Sequence, residues 1–251
     1  MSGPTDATAC VLLIGNEILS GKTQDANLRF LGVELAKLGI RLVEARVVRD
    51  EFPAIIDHLN ECRERFTYVF TTGGIGPTHD DITAEAVARA FGVDLELNDE
   101  AVELLKRAIG ELNEARLKMA RVPLGATLIE NPVSAAPGFR MDNVFVLAGI
   151  PSIARAMFAA AVPELAAGAT IHSASVDVFV REGDIATPLE RIAEAWPDVE
   201  IGSYPFARDG VFGANLVVRG SDEAMIARVM DKIVAAMEAL GGKPERRSHG
   251  P

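Results

Sequence analysis

Residues 67–83 read TYVFTTGGIGPTHDDIT, a short β-branched and aromatic run that leads directly into a glycine-rich loop. Such residues favour a buried strand over 67–71, and glycine allows the backbone to turn tightly after it. Residues 83–91 follow with helical spacing and end at Gly92. A strand, a glycine loop and a helix in this order predict one repeat of a parallel sheet covered by helices.

The same alternation of strands and helices extends to both sides of this stretch. Apolar runs at 10–14, 41–48 and 143–147 read as further buried strands. Helical patterns lie between or after them, at 25–38, 53–65, 98–112 and 152–165. Because parallel strands need such crossovers, we predict a three-layer α/β fold in which a mostly parallel sheet carries helices on both faces.

A change of composition at AAGAT, residues 166–170, predicts a domain boundary. The residues after it predict a small α+β domain. Its expected elements are a strand at 174–180, a helix at 184–195, a strand pair around the turn ARDG at 199–217 and a strongly amphipathic helix at 221–240. We therefore expect three segments: a large domain over 7–168, a small domain over 170–240 and a disordered polar tail over 241–251.

The overall composition restricts the ligand and the location of the protein. A net charge of −11 argues against sequence-independent nucleic-acid binding and against docking on anionic membranes, since both need a cationic face. No apolar run approaches the ~20 residues that span a bilayer, and the N-terminus shows no signal-peptide pattern. Cys10 and Cys62 make no disulfide framework, so we expect two core residues in a cytoplasmic protein.

Acidic residues follow three of the predicted strands. Glu17 follows the first, Asp50 ends the second, and Asp80 and Asp81 lie in the loop after the third. Since ligands of parallel sheets bind outside the carboxyl ends of the strands, we expect these acids to converge on one crevice. Glycine amides and a helix N-terminus suit a phosphate, whereas carboxylates suit Mg²⁺. A phosphorylated small molecule with Mg²⁺ or another divalent metal satisfies both.

A purely structural interpretation of the glycine loop stays open at this point, with the glycines making a tight turn and the acids capping a helix. The nearby stretch GNEILSGKT is not a P-loop, because five residues separate Gly15 from Gly21 where that motif has four. His79, beside the acids, is interpreted as a solvated loop histidine rather than a general base.

Five segments resemble the molybdopterin-binding (MoaB/Mog-like) domain family, and particularly the N-terminal part of the CinA family. In chain order they are GNEILSGKTQDAN (15–27), TTGGIGPTHDDIT (71–83), LKMARVP (117–123), NPVSAAPGF (131–139) and LAGIPSIARAMF (147–158). Together they cover residues 8 to about 165, and the segment after residue 170 resembles the CinA middle domain. The resemblance implies an α/β fold that binds phosphorylated pterins or nucleotides, and a homo-oligomer.

The resemblance also implies roles for individual residues. Asp50 and Asp81 match the metal-binding aspartates of related molybdenum-cofactor enzymes. Glu17, Asp80 and Asp81 are the candidate catalytic acids, with Glu17 or Asp80 positioning an attacking water. Contacts with the phosphorylated ligand, an adenine nucleotide or a pterin, are expected from Gly15, Asn27, Gly73, Gly74, Gly76, Pro77, Thr78, Lys118, Ser134 and Gly149.

Three functions are compatible with this resemblance. CinA-type domains are associated with metal-dependent cleavage of ADP-ribose at its diphosphate, and a similar domain of eukaryotic FAD synthase with FAD hydrolysis. A metal-dependent nucleotide pyrophosphatase is therefore the first hypothesis. The alternatives are a non-catalytic protein that binds a pterin or nucleotide, and a molybdopterin adenylyltransferase.

The chain departs from the family pattern in three ways. Ser134 and Ala135 occupy the Gly-Thr centre of the usual NPxGTAPGF. Ala148 replaces the proline of the usual LPGVPRE, and Ser152 and Ile153 replace its Arg-Glu pair. The C-terminal amidase domain of full-length CinA is missing, so nicotinamide mononucleotide deamidation is not expected.

Overall fold

The computed structural model describes residues 7–166, 172–208 and 210–246. It divides the chain into two compact units, residues 1–168 and 169–251. The division falls within the predicted boundary at 166–170, of which residues 167–170 lie outside the described ranges.

The strands of the first unit form one mixed sheet and a separate pair. They are β1 (Thr8–Ile14), β2 (Arg41–Val48), β3 (Tyr68–Thr72), β4 (Leu95–Leu97), β5 (Arg121–Pro123), β6 (Thr127–Ile129), β7 (Gly138–Met141) and β8 (Val144–Leu147). The sheet has the order β2-β1-β3-β8-β7-β6. Its first four strands are parallel, whereas β7 and β6 continue it with antiparallel pairings, and β4 pairs with β5 alone.

Helices cover both faces of this sheet. Their bounds are α1 (Asn16–Leu19), α2 (Asn27–Lys37), α3 (Phe52–Arg65), α4 (Thr83–Phe91), α5 (Asp99–Ile109), α6 (Glu114–Lys118) and α7 (Pro151–Ala161). α2 and α7 bury their apolar residues on one face, and α3 and α4 bury theirs on the other. The predicted three-layer α/β fold is therefore confirmed.

Successive residues of β1 alternate between the two cores, because neighbouring side chains of a strand point to opposite faces. Val11 and Leu13 pack with α2, whereas Cys10 and Leu12 pack with α3. Cys10 and Cys62 are both fully buried free thiols whose sulfur atoms lie 3.2 Å apart. The hydrogen bond with Cys62 is the largest cause that raises the pKa of Cys10, and burial is the next. The burial of both side chains confirms the prediction of two core cysteines.

The second unit is the predicted small α+β domain. Its elements are β9 (His172–Val178), α8 (Glu182–Ala195), β10 (Glu200–Arg208), β11 (Val211–Gly220), α9 (Glu223–Ala239) and β12 (Glu245–Arg246). The strands form an antiparallel sheet in the order β10-β11-β9-β12. α9 packs on this sheet through buried side chains that include Met230 and Met237.

Among the element ends that differ from the sequence-based expectation, two have a physical explanation. The helix expected over 98–112 ends at Ile109, because Gly110 takes a positive φ of 76°. In the tail expected to be disordered over 241–251, Glu245–Arg246 pairs with β9, and 247–251 lie outside the described ranges. Backbone pairing at an open sheet edge needs no apolar pattern, so composition alone does not reveal it. In the described ranges, no helix is long and apolar enough to cross a bilayer.

Candidate ligand-binding site

The segments that follow the parallel strands are joined to one another at the carboxyl edge of the sheet. The amide of Asn16, just after β1, donates to Asp50 Oδ2 just after β2, at 2.7 Å. The amide of Gly73, after β3, donates to the Leu147 carbonyl at the end of β8, at 3.2 Å. The topology therefore brings the predicted segments together, at the edge where parallel sheets bind ligands.

Three acids from separate strand ends interact electrostatically at this edge. Partial burial raises the pKa of Asp50 above its ordinary value, and the negative charges of Glu17 and Asp80 raise it further. The hydrogen bond from the Asn16 amide opposes this shift. Because like charges that converge in a partly buried crevice repel each other, this edge favours a cation.

Thr78 organises the acidic end of the glycine loop. Its hydroxyl lies 2.5 Å from Asp80 Oδ1 and 2.6 Å from Asp81 Oδ2, and its amide donates to Asp81 Oδ2 at 2.8 Å. The hydroxyl contact is the main cause that lowers the pKa of Asp80. Lys118 Nζ, from α6, donates to the Thr78 carbonyl. The structure therefore places a lysine beside the loop segment that carries Asp80 and Asp81.

Close packing explains the glycines of this site. A Cβ atom on Gly73 would lie 2.2 Å from the Ile14 carbonyl oxygen, and one on Gly74 would lie 2.2 Å from Thr83 Oγ1. Both glycines also take positive φ angles, 102° and 69°, which other residues adopt only at a cost. These two positions therefore require glycine whatever the ligand.

Two further glycines make room for carboxylates. A Cβ on Gly15 would lie 2.5 Å from Glu17 Oε1, and one on Gly76 would lie 2.7 Å from Asp81 Oδ2. The glycines thus let the acids fold back against the loop backbone. Glycine amides and carboxylates can therefore lie side by side in this region, because the carboxylates occupy the space that side chains at Gly15 and Gly76 would fill.

The structure corrects one predicted phosphate contact. The Gly73 amide donates to Leu147, so it is not available to a phosphate, and Gly73 serves the close approach of β3 to β1 instead. Within residues 7–166, the amides of Gly74 and Gly76 have no hydrogen-bond acceptor. These two amides are the loop donors that a phosphate can reach.

Asn27 and Gly149 form a second group at the same edge. Asn27 Nδ2 donates to the Gly149 carbonyl at 2.8 Å. Gly149 packs closely against Gly73, since a Cβ atom added to Gly149 would lie 3.3 Å from the Gly73 Cα atom. Asn27 is buried, and its Oδ1 atom has no hydrogen-bond partner. A buried acceptor without a partner is costly, and a donor group on a ligand would satisfy it.

The remaining residues singled out from the sequence are Ser134, Pro77 and His79. Ser134 Oγ accepts from Asn131 Nδ2 at 2.7 Å, within the loop that follows β6, and Ala135 in that loop has a φ of 61°. No described contact joins Ser134 to the acids. Pro77 is an exposed member of the glycine loop. His79 has a side chain that is 98% exposed, in agreement with a solvated loop histidine.

Two residues that matter for the site were absent from the sequence-based prediction. Asn16 holds Asp50 through its backbone amide, and a backbone contact leaves no signal in residue type. Thr83 is fully buried, and its hydroxyl donates to the Gly73 carbonyl at 2.9 Å. A threonine at the start of the helix after a glycine loop was the available signal, since short hydroxyl side chains commonly bind loop backbone there.

The carboxylates at this edge bear on the divalent metal expected from the sequence. Within the described part of the chain, no group of three or more His, Cys, Asp or Glu side chains is placed to hold a metal ion. Mg²⁺ needs only one or two carboxylates when substrate phosphates and waters complete its coordination. Asp50 and Asp81 supply that number of carboxylates and remain the predicted metal contacts.

Asp50→Asn is expected to raise the thermal midpoint of unfolding at neutral pH. The folded-state pKa of Asp50 is raised, so ionisation costs stability in full above the folded pKa. That cost decreases as pH falls through the folded pKa and is absent below the unfolded pKa. Asparagine removes the charge and keeps an oxygen for the Asn16 amide. Thermal scans at pH 7 and about pH 4 measure the effect. The gain should shrink at the lower pH, and a less stable variant at pH 7 would contradict the interpretation.

Comparisons with known proteins identify the class. Residues 10–167 match the family described as "Probable molybdopterin binding domain", and residues 170–241 match "FAD synthase, middle domain". The chain belongs to the molybdopterin-binding domain family. Its predicted resemblance to the MoaB/Mog-like and CinA proteins is therefore confirmed.

Individual relatives extend this match along the chain. The crystal structure of "the protein CinA with unknown function" from Thermoplasma acidophilum is 35% identical, with a TM-score of 0.60, over 62% of this chain and 98% of that one. A protein of Archaeoglobus fulgidus is 34% identical over 195 residues, 78% of this chain and 84% of its own length. A protein of Aeropyrum pernix is 33% identical over 255 residues, 93% and 95% of the two chains.

Proposed function

We propose that this protein binds a phosphorylated nucleotide or pterin at the carboxyl edge of its first sheet, and hydrolyses a nucleotide diphosphate linkage of the ADP-ribose or FAD type with a divalent metal. The observation that carries the proposal is the convergence of Glu17, Asp50 and Asp80 at one edge, where burial first, and then repulsion from the other two acids, raises the pKa of Asp50. A cation relieves that repulsion, and a metal–diphosphate ligand supplies one. The two family matches support the same ligand class.

The residues divide into those that bind phosphate and those that bind the cation. The unpaired amides of Gly74 and Gly76 would donate hydrogen bonds to phosphate oxygens, and Lys118 adds a positive charge beside the loop. Asp50 and Asp81 would hold the divalent metal, which would supply positive charge to stabilise the leaving oxygen. Asn27, which the sequence predicts as a ligand contact, is buried at the same edge with its Oδ1 atom unpaired.

Glu17 and Asp80 are the candidate residues for the attacking water. The contact with Thr78 lowers the pKa of Asp80, which keeps its carboxylate ionised and able to accept a hydrogen bond from water. Glu17 lies close enough to Asp50 for its charge to raise the Asp50 pKa. Either acid can orient the water and receive its proton as the water oxygen attacks phosphorus. The bridging P–O bond then breaks, and AMP leaves together with the second phosphate monoester, ribose 5-phosphate from ADP-ribose or FMN from FAD.

The direct experiment measures the release of AMP from a nucleotide substrate. The purified chain is incubated with ADP-ribose or FAD in the presence of Mg²⁺ or Mn²⁺, and nucleotides are separated by chromatography. We expect AMP release that stops when EDTA removes the metal. If neither substrate yields AMP with either metal, hydrolysis is rejected.

Non-catalytic binding is the second candidate, and the loop after β6 favours it. Ser134 and Ala135 differ from the Gly-Thr centre of the pattern that the loop resembles, and Ser134 Oγ accepts a hydrogen bond from Asn131 Nδ2 within the loop. Calorimetry with ADP-ribose, FAD and Mg²⁺ separates the two candidates. Binding without AMP release supports the binding protein, and AMP release supports the hydrolase.

A further inference from the structure

The interior of the first unit holds two thiols that the proposed hydrolysis does not use. Cys10 lies in the middle of β1, and Cys62 lies near the end of α3, 52 positions later in the chain. Both side chains are fully buried, and their sulfur atoms are 3.2 Å apart. The sequence contains two cysteines in all, so a disulfide within one molecule can join only these positions.

The two sulfur atoms lie closer together than ordinary packing requires. Carbon atoms in contact within a protein core are about 3.5–4.0 Å apart, and sulfur is the larger atom. A disulfide bond measures about 2.05 Å, so the sulfur atoms need to approach each other by only about 1.2 Å. A small rotation of each side chain about its Cα–Cβ bond supplies that displacement while the backbones of β1 and α3 stay in place.

The packing around the thiols fixes this geometry. β1 is a central strand, in which Cys10 pairs with Glu44 of β2 on one side and with Val69 of β3 on the other. Cys62 lies on the buried face of α3, in the same core cluster as Cys10. Because both backbones are held by the native fold, the contact between the sulfur atoms is a property of the folded chain.

The two thiols are not equivalent. The hydrogen bond between them lowers the pKa of Cys62 and raises that of Cys10, so Cys62 is the acceptor. The positive charge of Arg46 also lowers the pKa of Cys62, against the effect of burial, and Glu61 holds this guanidinium at 2.6 and 2.8 Å. Since the thiolate is the nucleophilic form of cysteine, Cys62 is the sulfur better prepared to react first.

We propose that Cys10 and Cys62 form an oxidation site, at which a small hydroperoxide such as hydrogen peroxide produces a reversible disulfide within the folded chain. The Cys62 sulfur attacks one peroxide oxygen and the O–O bond breaks, so that the other oxygen leaves as water with the thiol proton. The Cys10 sulfur then attacks the sulfur of the Cys62 sulfenic acid, whose oxygen leaves as a second water with the Cys10 proton. Two thiols are thereby oxidised to one disulfide, and one hydrogen peroxide is reduced to two waters.

Burial makes this oxidation slow but directs it to a single product. Peroxide reaches the thiols only when the core opens locally, which is rare for a central strand. Once the sulfenic acid has formed, the Cys10 thiol is already in contact with it. Further oxidation to a sulfinic acid needs a second peroxide molecule, which would have to enter the core again. The disulfide should therefore form before any higher oxidation state.

Peptide mapping of the folded chain tests the proposal directly. The chain is treated with excess hydrogen peroxide, remaining thiols are alkylated, and the protein is digested with trypsin without a reductant. Cys10 then lies in peptide 1–22 and Cys62 in peptide 50–63. We expect these two peptides to be linked, from a chain that stays monomeric on a non-reducing denaturing gel, and to separate after dithiothreitol. Alkylated thiols in both peptides, or a sulfinic acid in either, overturn the proposal.

Thermal unfolding tests whether the bond suits the native fold. The oxidised chain should have a midpoint about 10 °C higher, because the disulfide closes a loop of 52 positions in the unfolded chain, and dithiothreitol should reverse the rise. Cys62→Ala is the matched control, since peroxide also oxidises methionine and this variant undergoes that reaction without a disulfide. A linked chain with a lower midpoint, or an equal rise in Cys62→Ala, contradicts the proposal. Neither measurement depends on AMP release, so this proposal and the proposed hydrolysis can fail separately.

Discussion

Asp81→Asn is expected to reduce metal-dependent AMP release by about 100-fold or more, the loss seen when one electrostatic contact to a transition state is removed. Asp81 is placed for this role by Thr78, which donates to its Oδ2, and by Gly76, whose missing side chain admits the carboxylate. Asparagine retains an oxygen for the Thr78 hydrogen bond, so the loop should keep its conformation. Only the negative charge that would attract the cation is lost.

The measurement is AMP release as a function of Mg²⁺ concentration for the variant and the unmodified chain. Asp57→Asn is the matched control, because Asp57 is an exposed aspartate on α3 outside the glycine loop. It should behave like the unmodified chain. An Asp81→Asn variant with unchanged turnover and unchanged Mg²⁺ dependence would show that this carboxylate does not hold the metal.

Gly73→Ala is expected to destabilise the fold by about 3 kcal/mol and to abolish ligand binding. The new methyl group would lie 2.2 Å from the Ile14 carbonyl oxygen, a backbone atom that cannot move aside as a flexible side chain would. Overpacking of this kind costs roughly 1–3 kcal/mol, and the positive φ of 102° adds roughly 1–2 kcal/mol. Relief of the clash would separate the ends of β1 and β3, which together carry the glycine loop.

Gly92→Ala separates the two contributions in the Gly73 variant. Gly92 ends α4 with a φ of 66°, and a Cβ there would meet no atom within 4 Å. Its substitution should therefore cost only the conformational part, about 1 kcal/mol. Urea unfolding of both variants provides the comparison. Equal losses would mean that the close approach of Gly73 to Ile14 does not contribute.

The sequence by itself determined the architecture and the location of the site. Alternating apolar runs and helical patterns are local properties with periods of 2 and 3.6 residues, so the strand β2 and the helix α4 occur at their predicted bounds. Strand ends in a parallel sheet share one edge. The meeting of Glu17, Asp50 and Asp80 was therefore predictable although their positions in the chain are far apart.

Only the tertiary structure decided what each group at that edge can do. The Gly73 amide is occupied by Leu147, and Lys118 contacts the Thr78 carbonyl. Asn27 Oδ1 is buried without a partner. These facts depend on the register of strands and the path of loops that are distant in sequence. Packing of the whole unit sets both, and residue type at one position does not encode which distant atom will lie against it.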